Sequence, residues 1–167
     1  GKTEELIRRL KRAIIAKNNV VIFKPETDNR YSEKHIVSHN DRTIDCTIVS
    51  NNDEIISSSK DAQVIGIDEV QFFNNDIINI CTQLANEGKR VIIAGLDKDY
   101  LSKSFGPIPE LLSQAEYVTK LYAICIQCGE HAHFTQRITN DNAQILVGET
   151  DKYEARCRKC FNIKGVN

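Results

Sequence analysis

The first three residues, Gly1-Lys2-Thr3, match the end of the pattern G-x-x-x-x-G-K-[ST], whose loop binds phosphate groups. In that pattern the lysine reaches the β- and γ-phosphates, and the threonine hydroxyl ligates Mg²⁺. The alternative is an ordinary helix start with Thr3 as its cap. The amphipathic segment that follows favours phosphate binding, and we expect a strand and the first part of the loop to precede Gly1.

Two acidic residues, Asp68 and Glu69, directly follow the apolar run 64–67. Ligands bind beyond the carboxyl ends of strands in open parallel sheets, so a strand at 64–67 would bring both carboxylates to the phosphate site. Asp68 could then hold the metal, and Glu69 could take a proton from a nucleophile. The alternative is a solvated turn, but the combination with the first motif indicates a site for ATP with Mg²⁺.

The polar stretch Asp28-Asn29-Arg30-Tyr31 lies in the loop after the apolar run 20–23. An arginine in such a loop could contact the phosphate that is transferred. Taken alone, the stretch is more typical of a solvated turn.

Four of the six cysteines form two C-x-x-C pairs that are separated by 28 residues. This pattern predicts a tetrahedral zinc site, and because four thiolates leave no open position, the metal would be structural. Free or redox-active cysteines are the alternative. His131 and His133 lie nearby and could replace a ligand, but we interpret them as surface residues, and Cys46 and Cys81 as ordinary thiols. The predicted ligands are Cys125, Cys128, Cys157 and Cys160.

The elements that must position these residues alternate between helices and strands. Such alternation predicts an α/β fold with a parallel sheet and helices on both faces. Residues 26–52 are polar and irregular, and we expect loops there. From about Thr119 the pattern changes to short strands, turns and paired cysteines. The predicted helices are 3–17, 53–60, 75–88 and 107–115, and the predicted strands are 20–23, 64–67 and 91–94.

The composition narrows the class of protein. With 167 residues, the chain is long enough for one domain with a small appendage and a substantial core. A net charge of −1 gives no strong field for nucleic acid or an anionic membrane. We see no apolar stretch of about 20 residues and no signal peptide. Paired cysteines suit a reducing compartment with a metal, so we expect a cytoplasmic protein.

Several motifs together resemble one family, the type II thymidine kinases. They occur in the expected order over nearly the whole chain, and their conjunction is far more specific than any one of them. They are Gly-Lys-Thr-Glu-Glu-Leu-Ile-Arg-Arg at the start, Phe23-Lys24-Pro25, Asp28-Asn29-Arg30-Tyr31, Ile67-Asp68-Glu69-Val70-Gln71-Phe72-Phe73, Gly95-Leu96-Asp97, Phe105-Gly106-Pro107, both cysteine pairs and Lys152-Tyr153-Glu154-Ala155-Arg156-Cys157.

The resemblance implies a RecA-like P-loop sheet with helices on both faces and a small zinc-ribbon-like subdomain. It implies a nucleotide-binding domain over residues 1–118 and a zinc-binding subdomain over 119–167, whose lasso loop closes over the nucleoside. The implied reaction transfers the γ-phosphate of ATP to the 5′-hydroxyl of thymidine, giving dTMP and ADP in pyrimidine salvage for DNA synthesis. Deoxyuridine is a further expected substrate.

The resemblance also implies a role for each matching residue. Glu69 is the base for the 5′-hydroxyl, Gly1, Lys2 and Arg30 face the phosphates, and Thr3 and Asp68 serve Mg²⁺. The family usually has Phe at the pocket position where this chain has Tyr100, which concerns fine specificity rather than activity. The nucleoside-binding residues are expected to be Phe72, Leu96, Tyr100, Phe105, Thr135, Tyr153 beside the sugar, and the lasso residues Gln144, Ile145, Leu146, Val147 and Gly148, whose backbone would hold the base edge.

The expected partners are ATP with Mg²⁺, thymidine, structural Zn²⁺, dTTP as a feedback inhibitor and three further copies in a homotetramer, with no membrane or nucleic acid. One competing function is a RecA-type P-loop ATPase whose zinc module contacts DNA or a partner, although no basic patch supports it. Another is a zinc-ribbon interaction module without catalysis. That module would not need Lys2, Thr3, Asp68 and Glu69 at these positions.

Overall fold

The computed structural model describes residues 1–26, 35–37, 43–139 and 152–162. The chain divides into two compact units, the first comprising Gly1–Leu96 with Gly106–Val118 and the second Asp97–Phe105 with Thr119–Asn167. The expected boundary between residues 118 and 119 stays a prediction. Arg30 and the lasso stretch from Gln144 to Gly148 lie outside the described residues.

The first unit is built around a parallel four-stranded sheet whose strands are, in spatial order, Thr47–Val49, Val20–Pro25, Val64–Ile67 and Arg90–Ile93. The predicted α/β architecture is therefore confirmed. Three of these strands are short runs of β-branched residues, which suit a sheet that is covered on both faces. Its elements are α1 (Lys2–Ile15), β1 (Val20–Pro25), β2 (His35–Val37), β3 (Thr43–Asp45), β4 (Thr47–Val49), α2 (Asp53–Ser58), β5 (Val64–Ile67), a 3-10 turn (Val70–Phe72), α3 (Asp76–Asn86), β6 (Arg90–Ile93) and α4 (Ile108–Gln114).

Alternate side chains of the strands enter two separate apolar cores. On one face, the buried stripe of α1 packs against Ile22, Val64 and Ala94. On the other face, Phe23, Ile65 and Ile67 pack against residues of α2, α3 and α4. Burial of these side chains on both faces is the main stabilising contribution to the sheet. The stripe of α1 consists of Leu6, Ile7, Leu10 and Ala13.

The two long helices end in the same hydrogen-bonded motif with different residues. After α1, the Asn18 N–H donates to the Ala13 carbonyl at 3.1 Å, and the Lys17 N–H donates to the Ile14 carbonyl at 2.9 Å. This pattern is a Schellman motif, and it places Lys17 in the left-handed region at φ 61°. After α3, Gly88 has the equivalent position at φ 81°. A glycine accepts this conformation without a steric penalty, whereas a lysine does not.

The expectation of loops throughout residues 26–52 was wrong. β2 and β3 form an antiparallel pair, and β4 adds a parallel edge strand to β1 through the register Phe23↔Thr47. Each of these strands has only three residues, which is too short for a periodic pattern to stand out from its polar surroundings. Among the described residues, no helix is long and apolar enough to cross a membrane.

The described part of the second unit contains two short antiparallel ribbons and the loop 97–105. β7 (Ala123–Ile124) pairs with β8 (His131–Ala132), and β9 (Phe134–Arg137) pairs with β10 (Tyr153–Arg156). Two backbone hydrogen bonds join the ribbons, from the Ile126 N–H to the Ala155 carbonyl at 3.2 Å and from the His133 N–H to the Arg156 carbonyl at 3.1 Å. Its buried apolar cluster consists of Cys125, Ala132 and Cys157.

Candidate functional site

The two motifs of the predicted phosphate site meet in the first unit. Lys2 and Thr3 lie in the first turn of α1, and Asp68 and Glu69 follow the carboxyl end of β5. The Lys2 ammonium group donates a hydrogen bond to Oε1 of Glu69. Thr3 lies inside the helix and bonds the Asp68 carboxylate rather than capping the helix start. The structure therefore brings a cation, a hydroxyl and two carboxylates together.

Asp68 is a buried acid that its neighbours hold in place. Its N–H donates to the Phe23 carbonyl at 2.9 Å, and its Oδ1 accepts the Glu69 N–H at 3.0 Å. Burial raises the pKa of Asp68 to about 6, against the opposing charge of Lys2 and the hydrogen bond from Thr3. A buried carboxylate beside a hydroxyl is a suitable pair of oxygen ligands for Mg²⁺, because a bound cation would remove much of the cost of the buried charge.

Glu69 has a strained backbone in addition to a buried side chain. Its φ of 50° and ψ of 41° lie in the left-handed region, which costs a non-glycine residue about 1–3 kcal/mol. The hydrogen bond from the Glu69 N–H to Asp68 fixes this conformation on one side, and the bond from the Val70 N–H to the Ala94 carbonyl at 3.0 Å fixes it on the other. The carboxylate is only 7% exposed. The turn therefore fixes the direction in which the Glu69 carboxylate points.

A residue to which the sequence analysis assigned no role, Gln71, contacts the other oxygen of this acid. Its Nε2 donates to Oε2 of Glu69 at 2.5 Å, and its Oε1 accepts the Leu96 N–H at 3.0 Å. Gln71 is 3% exposed. Gln71 belongs to the motif from Ile67 to Phe73 that carries the family resemblance, but its contact with the distant residue Leu96 cannot be inferred from the sequence.

Two of the expected nucleoside-binding residues, Phe72 and Leu96, also belong to the first unit. Phe72 is half-buried in the 3-10 turn, and Leu96 lies three residues beyond the end of β6 with 37% of its surface exposed. Phe72 therefore follows the end of β5, which carries the acids, and Leu96 follows the end of the neighbouring strand β6. This location is where open parallel sheets bind ligands.

Four other expected nucleoside-binding residues belong to the second unit, where a buried arginine organises two of them. The Arg137 guanidinium group lies 3.6 Å from the ring centre of Tyr100, and it donates to the Tyr153 hydroxyl at 2.7 Å. Arg137 is 4% exposed and pairs with Tyr153 across β9 and β10. Thr135 lies two residues earlier on β9, and Phe105 is half-buried at the end of the loop 97–105. Sequence reasoning missed Arg137.

The loop that carries Tyr100 is shaped by another missed residue, Asp99. Its carboxylate accepts the N–H groups of Leu101 and Lys103, both at 2.9 Å. Asp99 is 5% exposed. An aspartate that accepts the N–H groups two and four residues later is a common device for fixing a tight turn, and the position of Tyr100 depends on it.

The four paired cysteines converge on one point, and this geometry fits a metal. All four sulfur atoms lie within 4.8 Å of one another, and Sγ of Cys128 and Sγ of Cys157 are 3.6 Å apart. Four sulfurs at 2.3 Å from one ion in a tetrahedron are separated by about 3.8 Å. The cluster can therefore hold a metal ion without rearrangement of its ribbons.

Backbone hydrogen bonds prepare two of these thiols to ligate as thiolates. Burial raises the pKa of Cys125, but hydrogen bonds from the backbone at Cys157, Gln127 and Cys128 outweigh it and bring the pKa to about 6. A backbone hydrogen bond from Cys160 likewise lowers the pKa of Cys157. Such bonds to sulfur orient the ligands of a metal site and favour the charged form that binds the ion.

The remaining histidines and cysteines of the sequence analysis lie outside the cluster. Within the described residues, the four paired cysteines are the one group of three or more His, Cys, Asp or Glu side chains that could hold a metal ion. His131 and His133 are exposed, and His131 stacks on Tyr122 with the ring centres 3.8 Å apart. Cys81 is buried in the first unit, and burial raises its pKa to about 12. Cys46 is half-buried.

Comparison with known proteins places these observations in a family. The family model described as thymidine kinase matches residues 1–161. The chain is 50% identical over 161 residues to a thymidine kinase of Rhodothermus sp. (strain ITI 518), covering 96% of this chain and 76% of that protein. It is 49% identical over 161 residues to thymidine kinases of Bacteroides thetaiotaomicron and of Bacteroides fragilis (strain YCH46), covering 96% of this chain and 81% of each of them.

Proposed function

Since the chain belongs to the thymidine kinase family, we propose that it transfers the γ-phosphoryl group of ATP to the 5′-hydroxyl of thymidine, yielding dTMP and ADP. The same site would accept deoxyuridine, which lacks only the methyl group of the base. The observation that carries the proposal is the meeting of Lys2, Thr3, Asp68 and Glu69 at the end of β5.

Glu69 acts as the general base in this proposal. A carboxylate that is buried and aimed by a fixed turn is suited to accept the proton of an attacking hydroxyl. Thr3 and Asp68 would hold the Mg²⁺ that accompanies ATP, and this ion offsets the charge of the phosphate oxygens. Gly1 and Lys2 bind the phosphates at the start of α1, where backbone N–H groups and the helix dipole favour anions. Arg30 is assigned to the transferred phosphate by resemblance.

The contact between Lys2 and Glu69 suggests how ATP prepares the base. The β- and γ-phosphates carry more negative charge than one carboxylate, so bound ATP would compete with Glu69 for the Lys2 ammonium group. Oε1 of Glu69 then loses the partner that neutralises it, and it becomes available to accept the proton of the nucleoside hydroxyl. Release of the base is in this way linked to the arrival of ATP.

Binding of the nucleoside is assigned to aromatic and backbone groups. By resemblance to the family, Tyr153 is assigned to the sugar, and the residues assigned to the pyrimidine are Phe72, Leu96, Tyr100, Phe105 and Thr135. The backbone from Gln144 to Gly148 would pair with the base edge, since peptide N–H and C=O groups match the acceptors and donor of thymine.

We assign a structural Zn²⁺ to Cys125, Cys128, Cys157 and Cys160, because four thiolates in this arrangement suit zinc and leave no position for a substrate. The metal ties together both ends of the segment that contains the lasso. We further propose a cytoplasmic homotetramer that dTTP inhibits by occupying the nucleoside and phosphate sites together. Reduced thiols of this kind are typical of a cytoplasmic environment.

The decisive experiment is the nucleoside dependence of ADP formation in the presence of ATP and Mg²⁺. We expect ADP and dTMP in equal amounts with thymidine, a similar reaction with deoxyuridine and little turnover with deoxyguanosine. Glu69→Gln should still bind thymidine while its kcat falls by at least about 100-fold. ADP formation that does not depend on thymidine would instead support an ATPase. Inhibition by dTTP, measured against both substrates, tests the regulatory part separately.

A further inference from the structure

We propose that Gln71 is a positioning residue that holds Glu69 in its reactive orientation and links the base to the backbone of the nucleoside-binding residue Leu96. This inference rests on the proposed function, since it concerns the same base. The geometry behind it is the pair of hydrogen bonds from one buried amide, to Oε2 of Glu69 at 2.5 Å and from the Leu96 N–H at 3.0 Å.

The two partners fix the orientation of the Gln71 amide. A backbone N–H can only donate, so the Leu96 N–H must face the oxygen Oε1. The Glu69 carboxylate accepts hydrogen bonds, so it must face the nitrogen Nε2. Among the amino acids, an acid at position 71 would satisfy Leu96 but repel Glu69, and an apolar side chain would satisfy neither. The amide is therefore required by both contacts together.

Two glycines leave the space that Gln71 occupies. A Cβ at Gly95 would lie 2.9 Å from Oε1 of Gln71 and 2.7 Å from Cδ1 of Ile108, which is closer than packed atoms approach. Gly106, at φ +52°, faces the backbone carbonyl of Gln71 so closely that any Cβ would collide with it. A larger residue at Gly95 would displace the side chain of Gln71, and one at Gly106 would displace its backbone.

The hydrogen bond to Oε2 matters most after ATP has bound. In the proposed mechanism, the phosphates attract Lys2 away from Oε1 of Glu69. Gln71 contacts the other oxygen, so it can restrict rotation of the carboxylate while Oε1 receives the proton. Because the same amide accepts the Leu96 N–H, a shift of the backbone at Leu96 would also move the base. The orientation of the base is thereby connected to the position of a residue that contacts nucleoside.

Two substitutions separate the two contacts of Gln71. Gln71→Glu keeps the acceptor for Leu96 but removes the donor to Glu69, so kcat should fall about 10–100-fold with the KM for thymidine within about threefold of the wild type. Gln71→Met removes both contacts, so the KM for thymidine should rise as well. The KM for ATP should change little in either variant. Gln83→Met is the matched control, because Gln83 donates to Glu87 at 2.9 Å on the exposed face of α3.

Each outcome decides between the inference and the proposed function. A wild-type chain that phosphorylates no thymidine would reject the proposed function and this inference with it. An active wild type with a folded Gln71→Glu variant that retains at least half of its kcat would reject the inference alone. If both variants lose thermal stability, but Gln71→Glu does not lower kcat selectively and Gln71→Met does not also raise the KM for thymidine, Gln71 has a structural role only. If Gln71→Met does not fold, Gln71→Glu decides, because it keeps the volume of the native side chain.

Discussion

At the scale of single residues, the acids after β5 carry an energetic cost in the protein without ligand. Asp68 is buried, and Glu69 has a left-handed backbone that is unusual for a residue with a side chain. Neither feature improves packing. Costs of this kind persist where the arrangement serves binding or catalysis, because a substrate that prefers the strained arrangement is bound without further rearrangement.

The raised pKa of Asp68 predicts a trade between stability and activity. An acid whose pKa is about 6 when folded and near 3.8 otherwise binds more protons in the folded protein, so its contribution to stability falls as the pH rises through this interval. At about pH 7.5 without Mg²⁺, Asp68→Asn should therefore stabilise the protein by about 1–3 kcal/mol while abolishing phosphoryl transfer. Near pH 4 the two proteins should melt at similar temperatures.

Thermal unfolding at several pH values measures this difference, with Asp61→Asn as the control because Asp61 is exposed. The control should match the wild type at every pH. An Asp68→Asn protein that melts below the wild type at neutral pH would show that the hydrogen bonds of the carboxylate outweigh its burial.

The contacts of Arg137 predict an effect on nucleoside binding rather than on ATP binding. Arg137→Met removes both the stacking on Tyr100 and the hydrogen bond to Tyr153, so the KM for thymidine should rise about tenfold with little change in the KM for ATP. Arg158→Met is the matched control, because Arg158 lies over the ring of Phe134 at 4.9 Å and is exposed. Equal KM values for thymidine in wild type and Arg137→Met would remove Arg137 from nucleoside binding.

At the scale of elements, the end of α1 contains an avoidable strain. Lys17→Gly should stabilise the protein by about 0.5–1 kcal/mol, because a glycine adopts φ 61° without the clash that a lysine suffers. Lys11→Gly provides the opposite control on the same helix, since an exposed interior glycine costs about 1 kcal/mol. Chemical unfolding of both variants tests the pair. A Lys17→Gly protein as unstable as Lys11→Gly would contradict the reading of this turn as strained.

Sequence reasoning located the elements that have a strong local pattern. β1, β5 and β6 coincide with apolar runs of β-branched residues, and Gly88 marked the end of α3. β4 was not predicted, because its place in the sheet depends on pairing with β1, a contact between distant parts of the chain. Asp68 and Glu69 could be placed at the end of a strand because the apolar run before them predicts β5. Gln71 and Arg137 could not be recognised, since their roles arise from partners that only the folded chain brings near.

At the scale of the whole molecule, the two units have very different means of stabilisation. The first has apolar cores on both faces of its sheet, whereas the buried apolar cluster of the second consists of two cysteines and one alanine. A cluster of this size contributes little toward offsetting the loss of chain entropy that accompanies folding. Coordination of a metal by the four cysteines, as proposed above, would add free energy to the folded state, because binding occurs only in the folded arrangement.

Removal of one ligand should therefore affect the second unit selectively. Cys157→Ser should lose the metal, lower the melting temperature and raise the KM for thymidine together, while the affinity for ATP should fall far less. Metal content by atomic spectroscopy, thermal unfolding, steady-state kinetics and calorimetry with ATP test these four effects. Cys81→Ala is the control: Cys81 is buried in the first unit, so this substitution should leave the metal in place. A metal-free chain with full activity would contradict the structural role of the site.

The division of the chain also has a consequence for its synthesis on the ribosome. The loop Asp97–Phe105 belongs to the second unit, yet it is made before Gly106–Val118, which belongs to the first. Tyr100 therefore emerges well before Arg137, on which its ring stacks, and before the second pair of cysteines. The sheet of the first unit can form before the residues that pack on this loop, such as Arg137, have been synthesised. During that interval the aromatic side chains of the loop would be accessible to chaperones and proteases, until synthesis of Cys157 and Cys160 completes the second unit.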